Sequence, residues 1–449
     1  MKRGVQNRVP QIDDDGEDRS GLLRLALAGL AVGVLTGGVS SAFHLTLDRA
    51  NTLRGIVIAW SHMLPEGGWL IPVGLAALAA FTARWLVLRF APEASGSGVQ
   101  HVEAVTRGEG APARVAVLPV KFVGGTLALG AGLALGREGP TVQMSATIGH
   151  LFARGFGLRA ADARALLAAG AGAGLAVAFN APLAGAIFVF EELVRRFELR
   201  VGVATLAACG AALAVMRVLI GDRLTFPLPP IGVQLFPGYL SFLVFGALLG
   251  LLGVGYNRMV VAGLDTAERM RRVGAAVPAA LVGAGVGLLS WFAPQLAGGG
   301  ETLVQGVLDG GHSVAILALI FVVRLVLGPV CYAPGLPGGL FAPLLVVGAS
   351  AGALWGLGCA RVLPTLTTPM SAFAAVGMAA LFVAVVRAPV TGIALVVEMT
   401  GSTALFIPLL TTSVGALAVP SALGEAPIYD TLRARDALRR PPPASSSNA

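Results

Sequence analysis

The chain has 449 residues, 55% hydrophobic and only 12% charged, with a formal net charge of +8 and a mean hydropathy of +0.80. These values exclude a soluble protein of two or three domains and describe a polytopic membrane protein. Its positive charge belongs to Arg-rich cytoplasmic loops rather than to a nucleic-acid surface. Cys209, Cys331 and Cys359 lie in apolar runs without Cys-x-x-Cys spacing, so they read as small buried hydrophobes and not as a metal or disulfide set.

Residues 1–20 are polar, carry Asp13-Asp14-Asp15 and read as a solvated, disordered cytoplasmic tail rather than a signal peptide. Ser20 is placed to cap a first helix over about Gly21–Asn51. Gly29, Gly33 and Gly37 repeat every four residues on it and predict close contact with another helix. A second span covers about Trp69–Phe90. The stretch Gly96-Ser97-Gly98 then precedes a helical pattern. It suits a loop that presents a hydroxyl and several amides to a ligand, although an ordinary Gly/Ser turn has the same composition.

Val115–Leu135 is apolar with Lys121 inside it, and Arg154, Arg159 and Arg164 mark a polar break. Ala165–Glu192 is a span broken at Asn180-Ala181-Pro182. Further spans cover about Val201–Ile220, Tyr239–Leu264, Ala276–Ala293, Val314–Val330, Met370–Val386, Pro389–Met399 and Ala404–Leu423. Several are shorter than the roughly 20 residues of a perpendicular crossing, so tilted and partial helices are expected. The basic clusters at 195–200, 269–272 and 433–440 are assigned to the cytoplasmic side. The chain closes on a helix-like piece carrying Tyr429 and a Pro/Ser tail expected to be disordered.

Two stretches do not fit a simple bundle. Gly136-Arg137-Glu138-Gly139-Pro140 puts a charged pair between two apolar runs, which is expensive unless it faces water, an ion or a partner. Its glycines and proline predict a helix start at membrane depth, with free amides and the positive dipole end around Glu138. Such a start is an anion site, and Glu138 is an anion that the chain supplies itself. The second stretch, Pro334–Pro343, has too many prolines and glycines for a continuous helix. Irregular backbone at that depth lines a cavity or is covered by protein.

The two stretches correspond. Lys121, Gly136, Pro140 and Gly149 match Arg324, Gly339, Pro343 and Gly352, each 203 positions later, as 343 follows 140. Asn180-Ala181-Pro182-Leu183-Ala184-Gly185 matches Arg387-Ala388-Pro389-Val390-Thr391-Gly392 at 207, in step as far as Glu191 and Glu398. A duplicated membrane protein with broken helices in matching positions is built like a transporter, with its site near the midplane where the repeats meet.

Gly96-Ser97-Gly98, Gly136-Arg137-Glu138-Gly139-Pro140, Gly339-Leu340-Phe341-Ala342-Pro343 and the late Tyr429 together resemble the CLC family of chloride channels and chloride/proton antiporters, over roughly residues 20–435. The resemblance implies an all-α fold with two inverted repeats of broken, tilted helices, in halves of about 21–220 and 238–424. A C-terminal piece over 425–449 carries Tyr429. It implies a multi-pass inner-membrane homodimer with one ion pathway per subunit, and a transporter rather than an enzyme. Its ligands would be chloride and protons, with membrane lipid around it, bound chloride ions expected, and neither cofactor, metal nor nucleic acid.

Carried over by position, the hydroxyls of Ser97 and Tyr429 and the amides of Leu340 and Phe341 would face a central chloride. The amides of Arg137, Glu138, Gly139, Leu340, Phe341 and Ala342 would surround an outer one. Glu138 would be the gate and external proton acceptor. Glu192 matches the inward proton relay of the antiporters; otherwise it pairs with Arg195 or Arg196 or caps a helix end. Glu138 and Glu192 together favour an antiporter over a passive chloride channel. Gln100 stands where the family usually has Pro, and Ser97 speaks against the nitrate-preferring and fluoride-exporting members.

Other classes fit less well. Ser97 and His101 could share a helical face, as in an intramembrane protease, but no third group or oxyanion partner accompanies them. His101-Val102-Glu103 lacks the Pro-Cys-x-x-Cys partner of a zinc deaminase. No Gly-rich Lys-Ser/Thr loop is present for ATP-driven transport.

Overall fold

A computed structural model describes residues 19–229, 231, 236–362 and 368–438. The two predicted tails and Arg439–Arg440 of the last basic cluster lie outside the described residues, apart from Arg19 and Ser20. All regular structure among the described residues is helical, in two sets of eight and a final helix. The first set is α1 (Arg19–Ser61), α2 (Leu70–Phe90), α3 (Val99–Thr106), α4 (Val117–Gly130), α5 (Glu138–Gly155), α6 (Ala160–Phe179), α7 (Pro182–Phe188) and α8 (Leu199–Leu219). The second is α9 (Phe236–Met270), α10 (Val277–Phe292), α11 (Glu301–Leu308), α12 (Val314–Tyr332), α13 (Phe341–Val362), α14 (Met370–Val386), α15 (Pro389–Thr400) and α16 (Phe406–Ala422). Helix α17 (Ile428–Leu438) follows. Among the described residues eight helices are long and apolar enough to cross a membrane, and α4, α10, α14 and α15 are shorter apolar helices.

The halves agree in backbone detail. Proline-led 3₁₀ turns, Pro92–Ala94 and Pro294–Leu296, follow Ala91 (φ −150°, ψ 79°) and Ala293 (φ −145°, ψ 67°). Gly98 (φ 84°) and Gly300 (φ 97°) then open α3 and α11 from the left-handed region, where a side chain would be strained. Asn180 and Arg387 end α6 and α14 in the same region, at φ 53° and 70°. Where the halves meet, Gly136 and Gly339 form an antiparallel bridge. The Gly136 N–H donates to the Gly339 carbonyl at 2.9 Å and the Gly339 N–H returns the bond at 2.8 Å. Reciprocal bonding between equivalent residues makes a local two-fold axis, so α5 and α13 start head to head and run apart. The repeats are inverted.

Small residues set the packing within each half. A Cβ on Gly29 or Gly37 of α1 would fall 2.6 Å from the carbonyl oxygen of Ala204 or Ala212 of α8, so the predicted glycine face is the α1–α8 contact. Helix α1 extends ten residues past Asn51 to Ser61, and Ser20 lies inside it instead of capping it. Its last turns carry Asp48, Asn51 and Arg54, which line a cavity with Arg137 and Glu301. Arg195 pairs with Asp430 at 3.2 Å, Arg433 with Asp430 at 3.0 Å, and Arg435 with Asp265. The basic segments thus gather on one face, the cytoplasmic one by the positive-inside rule.

Candidate functional site

The site is built from the starts of α5 and α13, the loop before α3, and α17. Among the residues singled out from the sequence, Ser97, Glu138, Leu340, Phe341, Ala342 and Tyr429 are buried. The Glu138 side chain folds back over the Gly136–Gly339 bridge. Its Oε1 accepts from the Phe341 N–H at 2.8 Å and the Ala342 N–H at 3.4 Å. Amides at the first turn of an apolar helix have no intrahelical partner, and a carboxylate is a strong acceptor for them. Glycine is required around it: a Cβ on Gly339 would lie 3.0 Å from the Gly139 nitrogen, and one on Gly139 would lie 2.8 Å from both the Ser97 carbonyl and hydroxyl oxygens.

Ser97 therefore lies directly against Gly139. The Ser97 and Tyr429 hydroxyls are both buried and interact with each other, and among the described residues neither they nor the Glu138 Oε2 has a close hydrogen-bond partner. Tyr429 lies beside Phe341, ring centroids 6.0 Å apart. Amide donors and two buried hydroxyls thus surround Glu138 with no full cation among the described residues, since the Arg137 side chain turns away. Its Nη1 meets His44 Nε2 at 2.8 Å, its Nε donates to the Ala178 carbonyl at 3.1 Å, and its Nη2 pairs with Glu301 at 3.1 Å. The sequence reading placed the Arg137 amide at the site; it did not foresee this role for the side chain.

Buried cations hold the two loops. Lys121 Nζ donates to the Gly96 and Ser97 carbonyls at 2.7 and 3.0 Å. Arg324 donates to the Leu296, Gly298 and Gly299 carbonyls at 3.2, 2.6 and 2.8 Å. Gly298-Gly299-Gly300 is the second-half counterpart of the serine loop, which the sequence reading missed. It also missed Tyr332, whose hydroxyl accepts from the Ser97 N–H at 3.3 Å. Gln100 lines a cavity of about 460 Å³ with Tyr332 and Gly96.

Toward the cytoplasmic face, α7 continues into a π-helical turn, Val189–Val194, that turns Glu191 and Glu192 to different uses. Glu191 caps α15, accepting from the Val390 and Thr391 amides at 2.9 and 2.6 Å. Glu398 caps α7 in return, accepting from Leu183 and Ala184 at 3.0 and 2.8 Å. Glu192 instead is buried, and its Oε1 has no hydrogen-bond partner. Arg195 lies 3.8 Å from it but closer to Asp430 and Glu103, at 3.2 and 3.5 Å, and Arg196 pairs with Glu198. Phe188, one turn before Glu192, packs edge-on against Phe341 with centroids 6.1 Å apart. One aromatic contact thus separates the π turn from the residue whose amide holds Glu138.

The model of the voltage gated chloride channel family matches residues 77–421. The chain belongs to this family, the CLC proteins. It is 40% identical over 412 residues to the H(+)/Cl(-) exchange transporter ClcA of Vibrio parahaemolyticus, covering 89% of this chain and 87% of that one. It is 36% identical over 436 residues to the ClcA of Salmonella arizonae, covering 95% and 91%. The solved structure of a slow cyanobacterial Cl-/H+ antiporter superposes with a TM-score of 0.90 at 33% identity, over 93% of this chain and 99% of that one. The all-helical, multi-pass CLC fold expected from the sequence is the fold of this chain.

Proposed function

We propose that this protein is a chloride/proton antiporter of the inner membrane, gated by Glu138 and supplied with protons from the cytoplasm through Glu192. The observation that carries this reading is the Glu138 carboxylate seated on the Phe341 and Ala342 amides. A halide needs partial positive charge without a cation that would trap it, and amides at helix starts provide it. Ionised, Glu138 competes with chloride for those donors. Protonated, it loses the attraction and can leave, so each proton taken up opens the place to an anion.

In this reading Ser97, Tyr429 and the amides of Leu340 and Phe341 hold a central chloride. The amides of Arg137, Glu138, Gly139, Leu340, Phe341 and Ala342 hold the outer one. Glu192, a buried carboxylate near the cytoplasmic face, is the relay, as ionisable residues at such depth commonly are. The names of the ClcA relatives and of the cyanobacterial structure support exchange over passive conduction. The protein works as a homodimer with one pathway per subunit and binds chloride but no cofactor. The two halves, about 21–220 and 238–424, form one transport domain that the piece over 425–449 completes by bringing Tyr429 to the ion. Proteoliposomes carrying a chloride gradient test the proposal: protons should move uphill as chloride runs down. Chloride flux without proton movement at any pH would replace the antiporter with a channel.

A further inference from the structure

We propose that the chain carries a second anion of its own on the outer approach to Glu138: the Glu301 carboxylate, seated on the Arg137 guanidinium where an incoming halide would bind. The inference rests on the chloride-transport reading and adds an outer capture site to it. Helix α6 starts beside the cytoplasmic Arg200–Asp162 pair, 2.7 Å apart, and its 20 residues reach the opposite face, about 30 Å away. There Arg137 bonds to the Ala178 carbonyl. A cavity of about 370 Å³ opens at this end, lined by Gly136, Arg137, Ala342, Arg54, Asp48 and Glu301 among others. It lies over the bridge that seats Glu138, so an anion arriving from outside passes Arg137 first.

The ties of the Arg137 side chain differ in strength. The His44 Nε2 and Ala178 carbonyl contacts, at 2.8 and 3.1 Å, fix one side of the guanidinium. The Nη2 alone pairs with Glu301, whose side chain is 47% exposed while that of Arg137 is 11% exposed. A half-exposed carboxylate on the first turn of an eight-residue helix is weakly held and easily hydrated. The guanidinium is fixed, shielded and always charged. When Glu301 swings into water, Nη2 is left facing the cavity, ready to accept a monovalent anion. Glu301 therefore lowers the outer affinity for chloride by competition, one step ahead of Glu138. In the other half of the repeat its place is taken by Val99, which has no charge to compete.

The test is Glu301→Gln in bilayer recordings that vary chloride on each face separately. The half-saturating outer chloride concentration should fall about threefold, the scale of one exposed ion pair, while the inner value and the chloride-to-proton ratio stay put. Asp222→Asn is the control. It removes the same charge from the same face, where Asp222 pairs with Arg217 at 3.2 Å close to the Asn180–Arg223 contact. An unchanged outer value in Glu301→Gln, an equal shift on both faces, or an equal shift in Asp222→Asn would overturn the inference. A wild-type protein that passes no chloride would instead overturn the function on which it rests.

Discussion

Superimposing the two halves by position separates scaffold from chemistry. Where they carry the same residue or the same charge, the residue holds the fold. Lys121 and Arg324 each tie down a glycine loop. Glu191 and Glu398 each cap a helix of the other half. The halves differ at the site and on either side of it. Glu138 stands opposite Phe341, Arg137 opposite Leu340, Ser97 opposite Gly299, and Glu192 opposite the buried Met399. The Glu138 carboxylate even rests on the amide of its own counterpart, Phe341. The repeat thus supplies two facing helix starts whose neighbouring side chains differ between the halves.

The strongest break in this pattern is Glu138→Ala, which makes that position uncharged in both halves. Uphill proton movement in proteoliposomes should disappear while chloride flux persists, because the amides remain and their built-in competitor is gone. Proton movement that survives would remove Glu138 from the coupling.

The adjacent acids of the π turn sharpen the comparison, since one is matched and the other is not. Glu192→Gln should cut proton flux at least tenfold, with chloride flux retained and thermal stability in detergent near wild type. Glu191→Ala should do the reverse, leaving the Val390 and Thr391 amides uncapped at about 0.5–2 kcal/mol and leaving coupling intact. If both variants lose coupling equally, the distinction between matched and unmatched acids fails.

The matched cations should behave alike. Lys121→Met and Arg324→Met each leave two or three loop carbonyls without their donor, at about 1–3 kcal/mol for each buried group. Both should lower the unfolding temperature. A stability loss in only one of them would mean that the halves are not equivalent scaffolds. A smaller effect belongs to Ser97→Ala, which makes the serine loop resemble its glycine counterpart. Calorimetry of the solubilised protein should show chloride binding weakened severalfold, the worth of one hydroxyl bond at about 0.5–1.5 kcal/mol.

Much of this was legible in the sequence because glycine and proline have backbone consequences that side-chain patterns lack. Gly136–Pro140 and Gly339–Pro343 could not continue a helix, and their common spacing disclosed both the repeat and its meeting point. Asn180-Ala181-Pro182 likewise announced the break between α6 and α7. The second glycine loop went unread because Gly298-Gly299-Gly300 carries no hydroxyl or charge and α11 has only eight residues. Only its match to Gly96-Ser97-Gly98 could have flagged it. Tyr332 was hidden for a different reason, since its ring completes an apolar helix and only the fold brings its hydroxyl to Ser97. The length of α1 was underestimated because Asp48, Asn51 and Arg54 look like a helix end in a greasy pattern; they line the outer cavity instead.

The mildest asymmetry lies in the turns before the two loops, where Glu93 faces Gln295 across the repeat. Glu93 is outside the membrane spans, and Arg114 grips it at 2.8 and 2.9 Å. Its backbone carbonyl accepts from Gln143 Nε2 at 2.8 Å, which ties the turn to α5. Burial pushes the Glu93 carboxyl upward, but the bonds and charge of Arg114, together with a bond from the Glu93 backbone N–H, outweigh it and hold the group below its ordinary value. A carboxyl depressed on folding stabilises the native state above its unfolded pKa and loses that contribution as pH falls through the folded one. Glu93→Gln, which copies the second half, should therefore unfold at a slightly lower temperature than wild type at neutral pH. The gap should close on acidification below the usual carboxylate range. A gap that stays constant with pH would assign the turn to packing alone and leave the Arg114 pair without a share in holding the serine loop.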